Sequence, residues 1–207
     1  MKTIYNNGTI EHYFKDYFKK NPDAFYKNEQ GCWRCRSVRF GDPFRSDKAL
    51  EQALKKPKER AQVGDLVNDC LSMIGVPKVP NPEMDPGKID YAKLKRDYQL
   101  EDERDIIWLK FTTDGYVGVV AQSNDINFDL PPSADVYNDK DRSGHWTYNT
   151  SGIIIHQLGK RWDTSFVLVF PLKLNNVNYS RHEIETAIGN YLTDHDVPIL
   201  DYYSHNY

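Results

Sequence analysis

The segment Cys32-Trp33-Arg34-Cys35-Arg36-Ser37-Val38-Arg39-Phe40, followed by Phe44 and Arg45, holds the densest mixture of reactive and charged side chains in this sequence. Four arginines interleave with three aromatics, between a cysteine pair and a turn at Gly41-Asp42-Pro43. Arginine presents a planar fork of donors that fits phosphate, and aromatic rings stack on bases. In an extended segment Arg34 and Arg36 share one face, while Trp33 and Cys35 share the other. Arg45 stands near the start of a helix expected from Ser46, where backbone donors also favour phosphate. The run Lys55-Lys56-Pro57-Lys58-Glu59-Arg60 adds further positive charge. Contact with a nucleic acid or a partner protein is therefore expected through Trp33, Arg34, Arg36, Arg39, Phe40 and Arg45. The plainer alternative is that these arginines pair with the chain's own carboxylates.

The cysteine pair itself is weak chemistry. Cys32-x-x-Cys35 supplies half of a structural zinc site, which needs four ligands, and no second pair stands at short spacing. His12 and Cys70 could complete it only through an unusual fold. A redox motif of this spacing requires a preceding strand and a following helix, which the flanking residues do not offer. No cofactor is expected.

Acidic residues gather in the connection 121–147, as Asp125, Asp129, Asp135, Asp139 and Asp141, with His145 nearby. The stretch Asp139-Lys140-Asp141-Arg142-Ser143-Gly144 has oxygen ligands at positions one, three and five and glycine at six, like the opening of a calcium loop. Its twelfth position is Thr150, where such loops carry a bidentate glutamate. Asp139, Asp141 and Ser143 are thus weak metal candidates, and a solvated turn is the plainer reading. A metal-dependent hydrolase or nuclease using this connection is the second functional expectation, because carboxylates can hold Mg²⁺ and activate water. Against it, the segment Trp108-Leu109-Lys110 has an apolar residue where a restriction-type nuclease strand carries an acid. No nucleophile elbow, phosphate-binding glycine loop or dinucleotide fingerprint is present, so catalytic residues stay unassigned.

Charge divides unevenly along the 207 residues: the first 60 balance to +6 and the remainder to −9. Such asymmetry is expected either of a face for an anionic partner or of a two-toned solvated surface. No apolar run approaches the roughly 18 residues of a membrane span, and the first residues lack the apolar core of a leader. Three cysteines give no disulfide framework. A cytoplasmic setting is the expectation. Fourteen tyrosines suit contact surfaces and would serve a scaffold that self-associates.

The elements that would position these groups read as α+β. Ile10, Tyr13, Phe14, Tyr17 and Phe18 recur at helical spacing. A second helix is expected from Ser46 to about Lys55, and a third from about Lys58 to Ile74, with the stripe Val63, Leu66, Val67, Cys70, Leu71 and Ile74. Cys70 belongs to that stripe as a small hydrophobe. Pro77, Pro80, Pro82 and Pro86 mark a connector, dividing a helical part (1–86) from a sheet part (87–207) that could also be one continuous domain. A short helix is placed near Ile89–Tyr98. Asp114-Gly115 between β-rich runs signals a hairpin. Ile153–Leu158 and Ser165–Leu172 suggest a second hairpin, whose last arm, apolar throughout, belongs at the centre of the sheet. Ser180-x-x-Glu183 is a capping box opening a helix, and Val197–Tyr203 adds a short strand. The sum is an antiparallel sheet of four to five strands packed with helices. The leading expectation is a non-enzymatic binding or regulatory protein acting on nucleic acid or on a protein that handles it. Its size and tyrosine content also suit an inhibitor encoded by a phage or mobile element.

Overall fold

The apolar runs of the second half do pair into an antiparallel sheet. The computed structural model describes residues 51–101, 105–122, 155, 158–174 and 177–200, and the backbone of short strands at 25–27, 33–35, 137–140 and 146–148. In chain order the elements are β1 (Phe25–Lys27), β2 (Trp33–Cys35), α1 (Arg60–Ser72), β3 (Glu83–Met84), α2 (Tyr91–Tyr98), β4 (Ile106–Phe111), β5 (Val117–Ala121), β6 (Tyr137–Lys140), β7 (Trp146–Tyr148), β8 (Val167–Pro171) and α3 (Arg181–Asp194). The main sheet has the order β3-β8-β4-β5, antiparallel throughout. β1 pairs with β2, and β6 with β7, as separate two-stranded ladders.

Period-two alternation sends the central strands' side chains to two cores. Ile107, Leu109 and Phe111 of β4, with Leu168 and Phe170 of β8, pack with Val63, Val67, Cys70 and Leu71 of α1 and with Ile184, Ile188 and Leu192 of α3. Ile106 and Trp108, with Val167 and Val169, meet Leu94 of α2 and the partly buried Trp162 on the opposite side. All six residues of β4 and all five of β8 are buried. The sheet is therefore covered on both faces, as the unbroken apolar run at Phe166–Phe170 implied.

Local signals set the element ends. Ser180 accepts a hydrogen bond from the Glu183 backbone N–H at 3.2 Å, and Glu183 Oε2 accepts from the Ser180 N–H at 2.7 Å, so both arms of the capping box are made. Asp90 caps α2 by accepting from the Lys93 N–H at 2.8 Å. α1 ends where Gly75 enters the left-handed region at φ 79° and the Val76 N–H donates to the Leu71 carbonyl. The hairpin at Asp114-Gly115 joins β4 to β5, with Gly115 at φ 91°.

One expected pairing is corrected. β8 does not form a hairpin with the segment before it; it lies between β3 and β4. The Lys160 N–H donates to the Ile155 carbonyl, and Gly159 takes φ 64°, which closes a helical end rather than a hairpin turn. Ile155 itself has helical backbone and is buried. A strand apolar on both faces is best buried with strands on either edge, and β4 and β3 supply them. Among the described residues the expected last strand appears as a bridge between Ile199 and Val117, parallel in sense, with Leu200 N–H bonded to the Val117 carbonyl. The first helix and residues 201–207 lie outside the described residues, and of the expected second helix residues 51–55 fall within them, helical over 51–53.

No helix among the described residues is long and apolar enough to cross a membrane.

Candidate functional site

Of the six residues expected to make partner contact, two have a described backbone. Trp33 and Arg34 lie on β2, opposite Lys27 and Tyr26 of β1. Arg36, Arg39, Phe40 and Arg45 lie outside the described residues. Cys35 closes β2, and Cys32 lies outside. Asp139 sits in β6 opposite Thr147 of β7, so the calcium-like stretch begins inside a strand. Asp141 and Ser143 lie outside the described residues. Among those described, no group of three or more His, Cys, Asp or Glu could hold a metal. Cys70 is fully buried, and burial pushes its thiol pKa up, so it is placed as a core residue.

The described part of the positive N-terminal third ends in the lysine run, and here the structure builds a distinct surface. Three segments meet around the Thr112–Tyr116 turn: Ala53–Lys58, the turn itself, and Gly159–Trp162. The Tyr116 hydroxyl lies 2.7 Å from the Ala53 carbonyl and 2.8 Å from that of Lys55, sharing its one hydrogen between them. Pro57 packs against Gly115, with its ring carbons 3.7 Å from where a Cβ would stand. The Thr113 N–H donates to the Arg161 carbonyl at 2.9 Å. Lys160 covers the Tyr116 ring at 4.3 Å and pairs with Asp114. Burial opposes ionisation of Asp114, yet hydrogen bonds from Lys160 and Thr112 hold its carboxyl below the usual range.

On this framework Leu54, Lys55, Lys56 and Arg161 are exposed, and Lys58 is half-buried. Leu54 is 79% exposed, the one large hydrophobic so exposed among the described residues. Lys55 Nζ reaches the neutral Gln52 Oε1 at 3.3 Å. Among the described residues no carboxylate lies within ion-pair distance of Lys55, Lys56, Lys58 or Arg161. Four lysines elsewhere are paired with aspartates, while Lys173 reaches the neutral Gln99 Oε1 at 2.6 Å. Lys78 pairs with Asp69, Lys88 with Asp85, Lys93 with Asp97, and Lys160 with Asp114. Arg60, directly after the run, is held by Glu83 at 3.3 Å and lies 4.2 Å over the Phe166 ring.

A second titratable group escaped sequence reading. Helical position alone suggested that Glu185 faces water, but its side chain is only 13% exposed. It stands 3.8 Å from His182 Nδ1 and accepts a hydrogen bond from the Gln122 backbone, at the end of β5. Burial raises the Glu185 carboxyl pKa, against the opposing pull of His182 and the Gln122 N–H. A carboxyl whose folded pKa is raised stabilises the fold fully below its unfolded value and loses that contribution as pH rises through the folded value. Glu185→Gln is therefore expected to raise the urea midpoint at pH 7, with the gain shrinking as pH falls toward about 4. Each pH unit of the window corresponds to about 1.4 kcal/mol. A constant difference between parent and variant across that range would contradict this assignment.

No protein-family model matches this chain, and no curated protein or solved structure matched it.

Proposed function

We propose that this chain is a non-enzymatic, cytoplasmic binding or regulatory protein that acts on nucleic acid or on a protein that handles nucleic acid. The observation that carries this reading is the contrast in charge pairing. Lys78, Lys88, Lys93 and Lys160 are matched to aspartates and Lys173 to the Gln99 amide, whereas among the described residues no carboxylate pairs with Lys55, Lys56 or Lys58. They close a third of the chain whose balance is +6. Surplus, solvated cations favour an external polyanion through release of its counterions. The arginine–aromatic run Trp33–Arg45 belongs to the same part of the sequence and would add bidentate phosphate contacts. A role as an inhibitor encoded by a phage or mobile element is compatible with this reading.

Retention on immobilised duplex DNA, RNA and heparin across a salt gradient tests it. The parent is expected to bind at low salt and to elute as salt rises. Replacing Arg34, Arg36, Arg39 and Arg45 together by glutamine should lower affinity by tenfold or more at about 0.1 M salt, since each lost phosphate contact removes about 0.9 from the logarithmic salt slope. A parent that flows through every column at low salt defeats the nucleic-acid reading.

A further inference from the structure

We infer that the turn Leu54–Lys58, together with Arg161, is a preformed contact element for the phosphate backbone of nucleic acid. This rests on the function proposed above and narrows it to one surface and one ligand chemistry.

Four observations converge on it. The cations are compact and close in sequence, and none is committed to a carboxylate of the described fold. The backbone that carries them is fixed: one hydroxyl, Tyr116, reaches two of its carbonyls, and Pro57 rests on Gly115. Asp114, next to the Gly115 on which Pro57 rests, is already occupied by Lys160 and Thr112. Arg161 joins from a third segment, its carbonyl accepting from the Thr113 N–H of the hairpin turn that Pro57 and Tyr116 tie to the lysine turn. Pinning lowers the ordering cost of binding, because the backbone is already in place.

The chemistry of the surface also selects its target. It offers point charges and a single exposed aliphatic side chain, Leu54, with no exposed aromatic in the element to stack on a base. Backbone phosphates fit such a surface, and contact with them carries no sequence information. An acidic protein surface presents the same charge sign and is the competing occupant.

Fluorescence anisotropy with a labelled 30-base-pair DNA duplex, titrated with the full chain at several salt concentrations, separates these cases. The variant Lys55→Gln/Lys56→Gln/Lys58→Gln is expected to bind at least tenfold more weakly at about 0.1 M salt, with a logarithmic salt slope smaller by roughly 2–3. The charge-matched control Lys78→Gln/Lys88→Gln/Lys93→Gln should keep the parent's affinity to within about threefold. Circular dichroism melts establish that both variants fold. Arg161→Gln should weaken binding further and lower the slope by about 1. If the parent binds DNA but the Lys55/Lys56/Lys58 variant matches it, the inference falls while the proposed function stands. If the control loses as much as the Lys55/Lys56/Lys58 variant, binding is diffuse electrostatics and the inference falls. If the parent does not bind the duplex at low salt, the nucleic-acid reading and this inference fall together, and an acidic protein becomes the occupant to pursue.

Discussion

Gly118→Ala is expected to destabilise the fold by about 2–3 kcal/mol, through overpacking against the partly buried Trp162 ring. Gly118 is the extra residue of an irregularity in the β4–β5 ladder: Lys110 pairs with Val119 and Phe111 with Val117, which leaves Gly118 without an opposite number. A Cβ there would stand 2.7 Å from Trp162 Cη2, closer still to Cζ3, and 3.0 Å from Ile155 Cδ1. Trp162 is held on both sides by its neighbours' backbones. Thr113 N–H donates to the Arg161 carbonyl at 2.9 Å, and Asp163 N–H donates to the Phe111 carbonyl at 2.8 Å. Thr112 and Trp162 also form a bridge. These bonds fix the backbone, so the ring can give way only by turning its side-chain torsions out of the apolar clusters it packs against. The melting temperature should fall by roughly 5–10 °C. Trp162→Phe trims the atoms that would collide, so the double variant should lose less than the two single losses summed. An alanine variant that melts with the parent would show that the ring yields freely.

The same hairpin shows how far the sequence could be read. Its turn was legible because Asp114-Gly115 is local chemistry, decided by backbone φ within four residues. The capping box at Ser180 and the stripe of α1 were legible for the same reason. The partners of β8 were not. Several runs of similar apolarity compete for one strand, and choosing β4 and β3 over the adjacent segment depends on burial of two sheet faces at once. Trp162 filling the space above Gly118 is equally nonlocal.

The candidate surface divides along the same line. The charge of Lys55-Lys56-Pro57-Lys58 is plain in the sequence. That the segment is a pinned, exposed turn is set by Tyr116, some 60 residues away. No composition rule connects a tyrosine after a hairpin to a lysine run before a helix. Glu185 illustrates the reverse error. A glutamate beside a capping box reads as solvated, yet the end of β5 packs against it and supplies a backbone donor.

Asn68→Ala carries the other large expected loss, about 3–4 kcal/mol, because it strips two buried backbone groups of their partners at once. Asn68 lies on α1 and is buried, as is Val79. Its Nδ2 donates to the Val79 carbonyl at 2.9 Å, and its Oδ1 accepts from the Val79 N–H at 2.8 Å. The amide thus stands in for one residue of a neighbouring strand. The connector needs this, since Pro77 and Pro80 flank Val79 and contribute no N–H of their own. Alanine leaves a donor and an acceptor facing apolar side chains, each costing about 1–3 kcal/mol. The melting temperature should fall by roughly 10 °C, and hydrogen exchange at the Val79 amide should accelerate beyond the change in global stability. Asn68→Asp separates the two halves of the interaction. The carboxylate keeps the acceptor for the Val79 N–H but turns a lone pair toward the Val79 carbonyl. Burial and that carbonyl both favour the protonated form, which restores the donor. A group with a raised folded pKa stabilises at low pH and loses that contribution as pH rises. The aspartate variant should therefore approach the parent near pH 4 and fall toward the alanine variant at pH 8. Urea midpoints for the three proteins across that range decide the matter, and parallel curves would mean that the Val79 carbonyl finds another donor.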